Sequence, residues 1–325
     1  MRVAAGLGRR ETTLSLLRHV IFTHGDLAMA GDLHVPAGFN EDATYAAIVI
    51  ATPGSSVKDQ VGGIYAARLA DEGFVALTFD PSHQGESEGE PRDLEDPAAR
   101  VEDLRCAFDY LTTLSFIDSE RLGLFGICAG GGYAVNAAMT EHRAKAVGVV
   151  APINIGRAFR QAQTLPDVLA TLTLVGVQRT IEASGGAVRR DPWIPDSLEE
   201  ALIAGVADAD VLDAVIFYRE SSYARATSSN RLLFRSYGPL LTFDAFHLVE
   251  ELLTQPLQVI VGGRRGSTGS YEDGEALVRR APEAEALCVI AGAGHYDMYH
   301  RPGYVRQAVS RLTAFFNAHL APINR

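Results

Sequence analysis

Short apolar runs separated by helix-patterned stretches fill the first half of the chain. His19–Thr23, Ala28–Val35, Ala46–Thr52, Val75–Asp80, Leu122–Ile127 and Ala146–Val150 carry the aliphatic and β-branched residues of strands. After the third run, Val61, Tyr65 and Leu69 recur at i, i+4 and i+8, and Gly73 supplies a helix stop. Val101, Leu104, Phe108 and Leu111 mark a second helical face that starts near Pro97. Apolar strands with helices between them predict a parallel sheet buried on both faces. Only His24–Leu27 separates the opening pair of strands, which predicts an antiparallel hairpin at the sheet edge. From about Ile153 to Pro239 the rhythm stops. That segment is helix-compatible at Leu198–Ala207 and Val211–Tyr218, is broken by Gly185-Gly186, Pro192 and Pro195, and carries the single tryptophan, Trp193. A helix over Phe243–Leu253, strands at Leu257–Val261 and Ala286–Ile290, and an amphipathic helix over Val305–Leu320 complete the pattern. The expected fold is α/β: a mostly parallel eight-stranded sheet flanked by helices, with core segments 1–152 and 240–325. A helical lid over 153–239 is expected between strands six and seven.

Composition narrows the function classes. With 325 residues, 47% of them hydrophobic and 21% charged, the chain can bury a substantial core. Twenty-nine Lys and Arg against 40 Asp and Glu give a net charge of −11, with no basic block. That balance predicts neither a nucleic-acid partner nor a polybasic membrane anchor. No apolar stretch approaches the ~18 residues of a membrane span, and the opening MRVAAGLGRRETTLSLLRHVIF has no signal-peptide pattern. Three cysteines, Cys106, Cys128 and Cys288, are too few for a disulfide framework. The expectation is a cytoplasmic protein without membrane attachment, cofactor or metal, with a homodimer as the base-rate assembly.

One local pattern carries chemistry. Gly126-Ile127-Cys128-Ala129-Gly130-Gly131-Gly132 follows an apolar strand and precedes the helix-compatible run Tyr133–Met139. This is the strand–turn–helix setting of a nucleophile elbow, with Cys where Ser is more usual. Small flanking residues let strand and helix approach. The helix N-terminus is expected to lower the thiol pKa, and the Ala129 N–H to face a developing oxyanion. Cys106 and Cys288 lack this setting and read as small buried hydrophobes. The base expected for Cys128 is His295, in Gly292-Ala293-Gly294-His295-Tyr296 before the last helix, late in the chain as an elbow requires. An orienting carboxylate belongs after Leu257–Val261, where Glu272 and Asp273 are the candidates, although both also suit the first turn of a helix. Asp297 lies close to His295 in sequence. A Cys–His dyad can also work without an acid, because a thiol ionises more readily than a hydroxyl. The loop after Ala46–Thr52 offers Gly54 and Ser55 as the second oxyanion donor, or as an ordinary helix cap. The loop Asp80–Ser87, with His83, is expected to frame the pocket.

Together these residues resemble the α/β-hydrolase superfamily, in particular its dienelactone-hydrolase-like and polyketide-transferase-like members with a Cys nucleophile. The resemblance rests on Gly-Ile-Cys-Ala-Gly-Gly-Gly-Tyr (126–133), Phe-Asp-Pro-Ser-His-Gln-Gly-Glu-Ser (79–87), Val-Lys-Asp-Gln (57–60) and Gly-His-Tyr-Asp-Met-Tyr (294–299). It implies Cys128 as nucleophile and His295 as base. It also places the family acid near Gly266, where this chain has no carboxylate, and Thr52-Pro53 where many relatives have His-Pro or His-Gly.

Two classes of function follow. The first is an enzyme that forms an acyl-cysteine from an ester, lactone or thioester and passes the acyl group to water or to an alcohol, amine or thiol acceptor. Its variant is a polyketide or natural-product acyltransferase or cyclase with little hydrolysis. The aromatic content of 153–239 predicts a small-molecule acyl substrate that is apolar and fairly large. The second class is a non-catalytic ligand-binding protein on a hydrolase fold. The glycine clusters match neither G-x-G-x-x-G nor a P-loop, and a metal site from His295, Asp297 and His300 would need both Asp297 and His300 to turn inward.

Overall fold

The computed structural model describes residues 16–322. The first fifteen residues, on which most of the signal-peptide reading rests, lie outside that range. Ten strands are present: β1 (Leu16–His24), β2 (Leu27–Val35), β3 (Tyr45–Ala51), β4 (Val75–Phe79), β5 (Ile117–Ile127), β6 (Ala144–Val150), β7 (Arg190–Pro192), β8 (Arg231–Leu233), β9 (Leu257–Gly262) and β10 (Cys288–Ile290). Eight of them form one sheet in the order β1-β2-β4-β3-β5-β6-β9-β10. From β4 to β10 every pairing is parallel, whereas β1 pairs antiparallel with β2, and β2 antiparallel with β4. The hairpin therefore sits at the edge, where a two-residue turn can join strands that need no crossover.

Twelve α-helices accompany the strands: α1 (Val61–Asp71), α2 (Pro97–Thr112), α3 (Ala129–Ala138), α4 (Ile155–Gln161), α5 (Leu165–Ala183), α6 (Leu198–Ile203), α7 (Ala209–Val215), α8 (Tyr237–Thr242), α9 (Val249–Leu252), α10 (Ser270–Arg280), α11 (Asp297–His300) and α12 (Pro302–His319). The pleat decides which of them cover which face. In β3, Ala47, Val49 and Ala51 join a buried cluster with α2, α3 and α10, while Ala46, Ile48 and Ile50 join another with α1, α11 and α12. The result is three layers, helix–sheet–helix, with the C-terminal strand ends left free to carry loops.

Between β6 and β9 the chain is helical, as the loss of strand rhythm predicts, with two departures. A short antiparallel ribbon, β7–β8, interrupts it. Its longest element, α5, is set off by a capping box in which Thr164 and Asp167 satisfy each other's backbone N–H groups. The ribbon is held to the core through Asp93, whose carbonyl accepts the Leu233 N–H at 2.8 Å and whose carboxylate pairs with Arg190 at 2.8 Å.

The helix expected over Phe243–Leu253 is not continuous. Only Val249–Leu252 is helical, because Leu248 adopts φ 63° and the Asp244 carboxylate takes the Phe246 N–H at 3.0 Å. A side chain that binds its own backbone competes with the helix there.

Candidate active site

Cys128 stands between the end of β5 and the start of α3 with φ 58° and ψ −128°. A non-glycine residue in that region costs of order 1–3 kcal/mol and persists only where its surroundings hold it. Here the Cys128 N–H donates to Val150 O at 3.1 Å, and its carbonyl accepts from Gly131 and Ile153, each at 2.9 Å. The glycines are required by distance. A Cβ on Gly126 would lie 2.3 Å from Gly130 O, and one on Gly130 would lie 2.2 Å from Ala51 O. The elbow is therefore built as the sequence predicts.

The thiol is not acidified as expected. Burial at the pocket floor pushes it up to about 11, outweighing the Tyr299 hydroxyl and the Ala129 N–H, which both favour the thiolate. His295 is also buried, and desolvation lowers it to about 4. The resting pair is neutral thiol and neutral imidazole.

The structure brings Cys128 and His295 together through a residue the sequence reading did not single out. Tyr299 Oη lies 3.0 Å from His295 Nε2, and Tyr299 lines one pocket with Cys128. The signal was present in Gly294–Tyr299, since residues i and i+4 on one helical turn share a face. On the opposite side of the ring, His295 Nδ1 meets Ser270 Oγ at 3.0 Å. Ser270 is the first residue of α10.

Neither acid read from the sequence touches His295. Asp273 is buried in an ion pair with Arg157 of α4, and its Oδ2 accepts the Asn154 N–H at 2.7 Å. Glu272 is exposed and pairs with Arg265 at 2.8 Å. Both occupy the first turn of α10, where their alternative reading as helix-start acids applies. Asp297 is also directed away from the ring. It accepts the Gly294 N–H at 2.8 Å and pairs with Arg264 and Arg301, bracing the loop that carries His295.

Ala129 is the first residue of α3, so its N–H has no partner inside the helix. Ser55, at φ 58°, lines the same pocket beside Gly54 and Cys128. Its carbonyl is held by Ser228 Oγ at 3.0 Å. Behind this loop, Arg100 donates to Thr52 O at 2.6 Å and pairs with Glu95 at 3.5 Å, while Tyr133 of α3 donates to Glu95 at 2.7 Å. The Val57–Gln60 and Phe79–Ser87 motifs meet in a second buried ion pair. Lys58 Nζ reaches Asp80 at 3.2 Å and also contacts Glu86, and Asp80 accepts the Lys58 and Glu86 N–H groups at 2.7 Å. These contacts fix one loop against the next at the strand ends. His83, expected to frame the pocket, does not line it. It packs on Gly89, and its N–H is bound by the Glu88 carbonyl at 2.8 Å.

The pocket above Cys128 encloses about 210 Å³ and is walled by Ile153, Ile155, Phe159, Trp193, Ile194, Tyr218 and Tyr296. Among the described residues no Lys, Arg, Asp or Glu lines it. Trp193 closes on Gly54, where an added Cβ would meet the indole at 3.1 Å. Most of these walls come from the segment between β6 and β9.

A strained elbow, a late histidine behind it and a mostly parallel sheet beneath define an α/β-hydrolase. Comparison with known proteins agrees: a family model described as PETase, PET hydrolase-like, matches residues 21–180. The uncharacterized protein YcjY of Escherichia coli (strain K12) is 36% identical over 308 residues, covering 93% of this chain and 98% of YcjY. The chain belongs to the same family as YcjY, within the α/β-hydrolase superfamily. The thiohydrolase aneE of Aspergillus aculeatus is 27% identical over 69% of this chain and 70% of its own. The polyketide transferase grgF of Penicillium sp. is 24% identical over 84% of this chain and 88% of its own. The solved structure of the α/β hydrolase GrgF from Penicillium sp. sh18 has a TM-score of 0.76 at 21% identity, covering 94% of this chain and 100% of that one. Among the described residues no helix is long and apolar enough to cross a membrane.

Proposed function

We propose that this enzyme transfers acyl groups through an acyl-cysteine on Cys128, taking neutral, apolar esters or thioesters as donors. The observation that carries the reading is the contact chain from Cys128 through Tyr299 Oη to His295 Nε2, set beside the Ala129 N–H at the start of α3. In the first step the thiol proton moves to Tyr299 Oη as the tyrosine proton moves to His295 Nε2. In the same event Cys128 Sγ bonds to the carbonyl carbon, and the oxyanion receives the Ala129 and Ser55 N–H groups. Collapse breaks the bond to the alcohol or thiol, which leaves with the proton returned from His295. Water, an alcohol or a thiol attacks the thioester, giving up its proton by the same route to His295, and Cys128 leaves as the thiol when that proton returns through Tyr299. Because both groups start neutral, proton transfer accompanies attack, as in general-base catalysis.

The uncharged apolar wall favours a neutral acyl chain or ring over a carboxylate-bearing one, which would lose its hydration without an ion pair in return. The names of relatives, thiohydrolase and polyketide transferase, fit both fates of the intermediate. The test is intact mass of wild type, Cys128→Ala and His295→Ala after mixing with activated esters and acyl thioesters. An adduct should appear only where Cys128 is retained and should form slowly in His295→Ala. Rapid decay in water assigns hydrolysis; persistence until an alcohol or thiol is added assigns transfer. Full turnover in Cys128→Ala would sink the mechanism.

A further inference from the structure

The imidazole of His295 has no carboxylate in hydrogen-bond contact among the described residues; Ser270 Oγ holds its Nδ1 side. A serine hydroxyl orients a ring but cannot offset the charge the ring gains when it takes a proton. A carboxylate that can do so stands behind Ser270. Asp210, in the first turn of α7, is 6% exposed, and no cationic side chain pairs with it among the described residues. Its Oδ2 accepts the Thr268 N–H at 3.1 Å, and Thr268 Oγ1 in turn lies 3.5 Å from Ser270 Oγ.

The position of that carboxylate is informative. A Cβ on Gly266 would stand 2.1 Å from Asp210 Oδ2. The carboxylate therefore fills the space into which a side chain from the loop after β9 would project, and Asp210 falls between Cys128 and His295 in chain order, as an elbow requires of its acid. Without a side chain, Gly266 leaves that space to Asp210. A buried carboxylate without a cation is costly unless some state of the molecule supplies a positive charge.

We infer that Asp210, supplied by the segment between β6 and β9, is the positioning carboxylate for His295 and stabilises its protonated form through Ser270. This inference rests on His295 acting as the base for Cys128. The direction of its effect on His295 agrees, since the Asp210 charge raises the basicity that burial lowers. The other groups facing the ring are Tyr299 and Tyr296 from its own segment; Arg264 lies on Gly294 at the back of the loop. None of them is a carboxylate.

The test uses the full chain and p-nitrophenyl butyrate, reading acylation of Cys128 by intact mass and by the p-nitrophenol burst. Asp210→Asn should acylate about 100-fold more slowly with KM within roughly twofold of wild type. The acid limb of its rate profile should move to lower pH, because the base loses a neighbouring negative charge. The double variant Asp210→Ala/Gly266→Asp returns a carboxylate to the same space from the other strand of chain, and should recover most of the lost rate. Wild-type rate and an unmoved acid limb in Asp210→Asn would overturn the inference, as would a folded double variant no faster than Asp210→Ala. Should Asp210→Asn fail to fold, the double variant decides alone. Absence of any adduct on wild-type Cys128 would instead refute the nucleophile on which this rests, so the two failures are distinct.

Discussion

At the residue scale, the chemistry depends on keeping two ordinarily ionisable groups neutral and joined. Burial raises Cys128 to about 11 and lowers His295 to about 4, so neither a thiolate nor an imidazolium waits in the resting site. The Tyr299 hydroxyl spans them and is itself driven well above its usual pKa by burial and the neighbouring thiol. It can pass a proton on but not lose one. Tyr299→Phe should therefore slow acylation by about tenfold to a hundredfold and leave KM nearly unchanged, since the ring's apolar surface remains. Stopped-flow acylation with an activated ester measures both; an unaltered rate would mean that His295 reaches the thiol without the hydroxyl. The motif holding this tyrosine could be read in one dimension, but its role could not. An i, i+4 spacing places Tyr299 on the side of His295 without saying which of its neighbours the hydroxyl meets.

At the element scale, the site is set by how closely α3 packs against β3 and β5. Gly130 permits the approach, since any Cβ would overlap the Ala51 carbonyl at 2.2 Å and backbone cannot retreat as a flexible side chain can. Gly130→Ala should destabilise the fold by about 3 kcal/mol, measurable as a lower urea midpoint. An unchanged midpoint would show that the helix can shift. The loops at the strand ends depend on the Lys58–Asp80 pair in the same way. Asp80 is fully buried, and desolvation already raises its pKa against Lys58 and two backbone donors. Lys58→Met should cost about 3–5 kcal/mol by leaving that carboxylate without a cation. Adding Asp80→Asn should restore part of the loss, and failure to do so would mean that Lys58 acts by packing alone. Elements with strong periodicity, such as α1 and α12, were legible from the sequence. The helix expected over Phe243–Leu253 was not, because a local Asp244 cap and a left-handed Leu248 defeat an apolar pattern that looks helical.

At the scale of the whole molecule, a buried neutral histidine links the site to stability. His295 binds its proton near pH 4 in the folded chain and near 6.5 when unfolded. The unfolded chain thus takes up the proton first, and stability is lost as pH falls from about 6.5 towards about 4. In His295→Gln, the drop in urea midpoint between pH 7 and pH 4.5 should be smaller than in wild type; an equal drop would place the titration elsewhere. The sequence by itself determined the layered α/β plan, the edge hairpin, the elbow at Cys128 and the late His295, because each is a local matter of period, small residues or chain order. Apolar alternation dictates which residues face the helices, and a strained turn between strand and helix admits few side chains. Tertiary structure alone decided what surrounds the histidine. Asp273 and Glu272 were the acids the chain offers after Leu257–Val261, yet Arg157 and Arg265 claim them. Ser270, Tyr299 and Asp210 come from three separate elements that meet only after the segment between β6 and β9 has folded onto the sheet. Their meeting is set by packing between distant parts of the chain, and distance in space leaves no periodic trace in sequence.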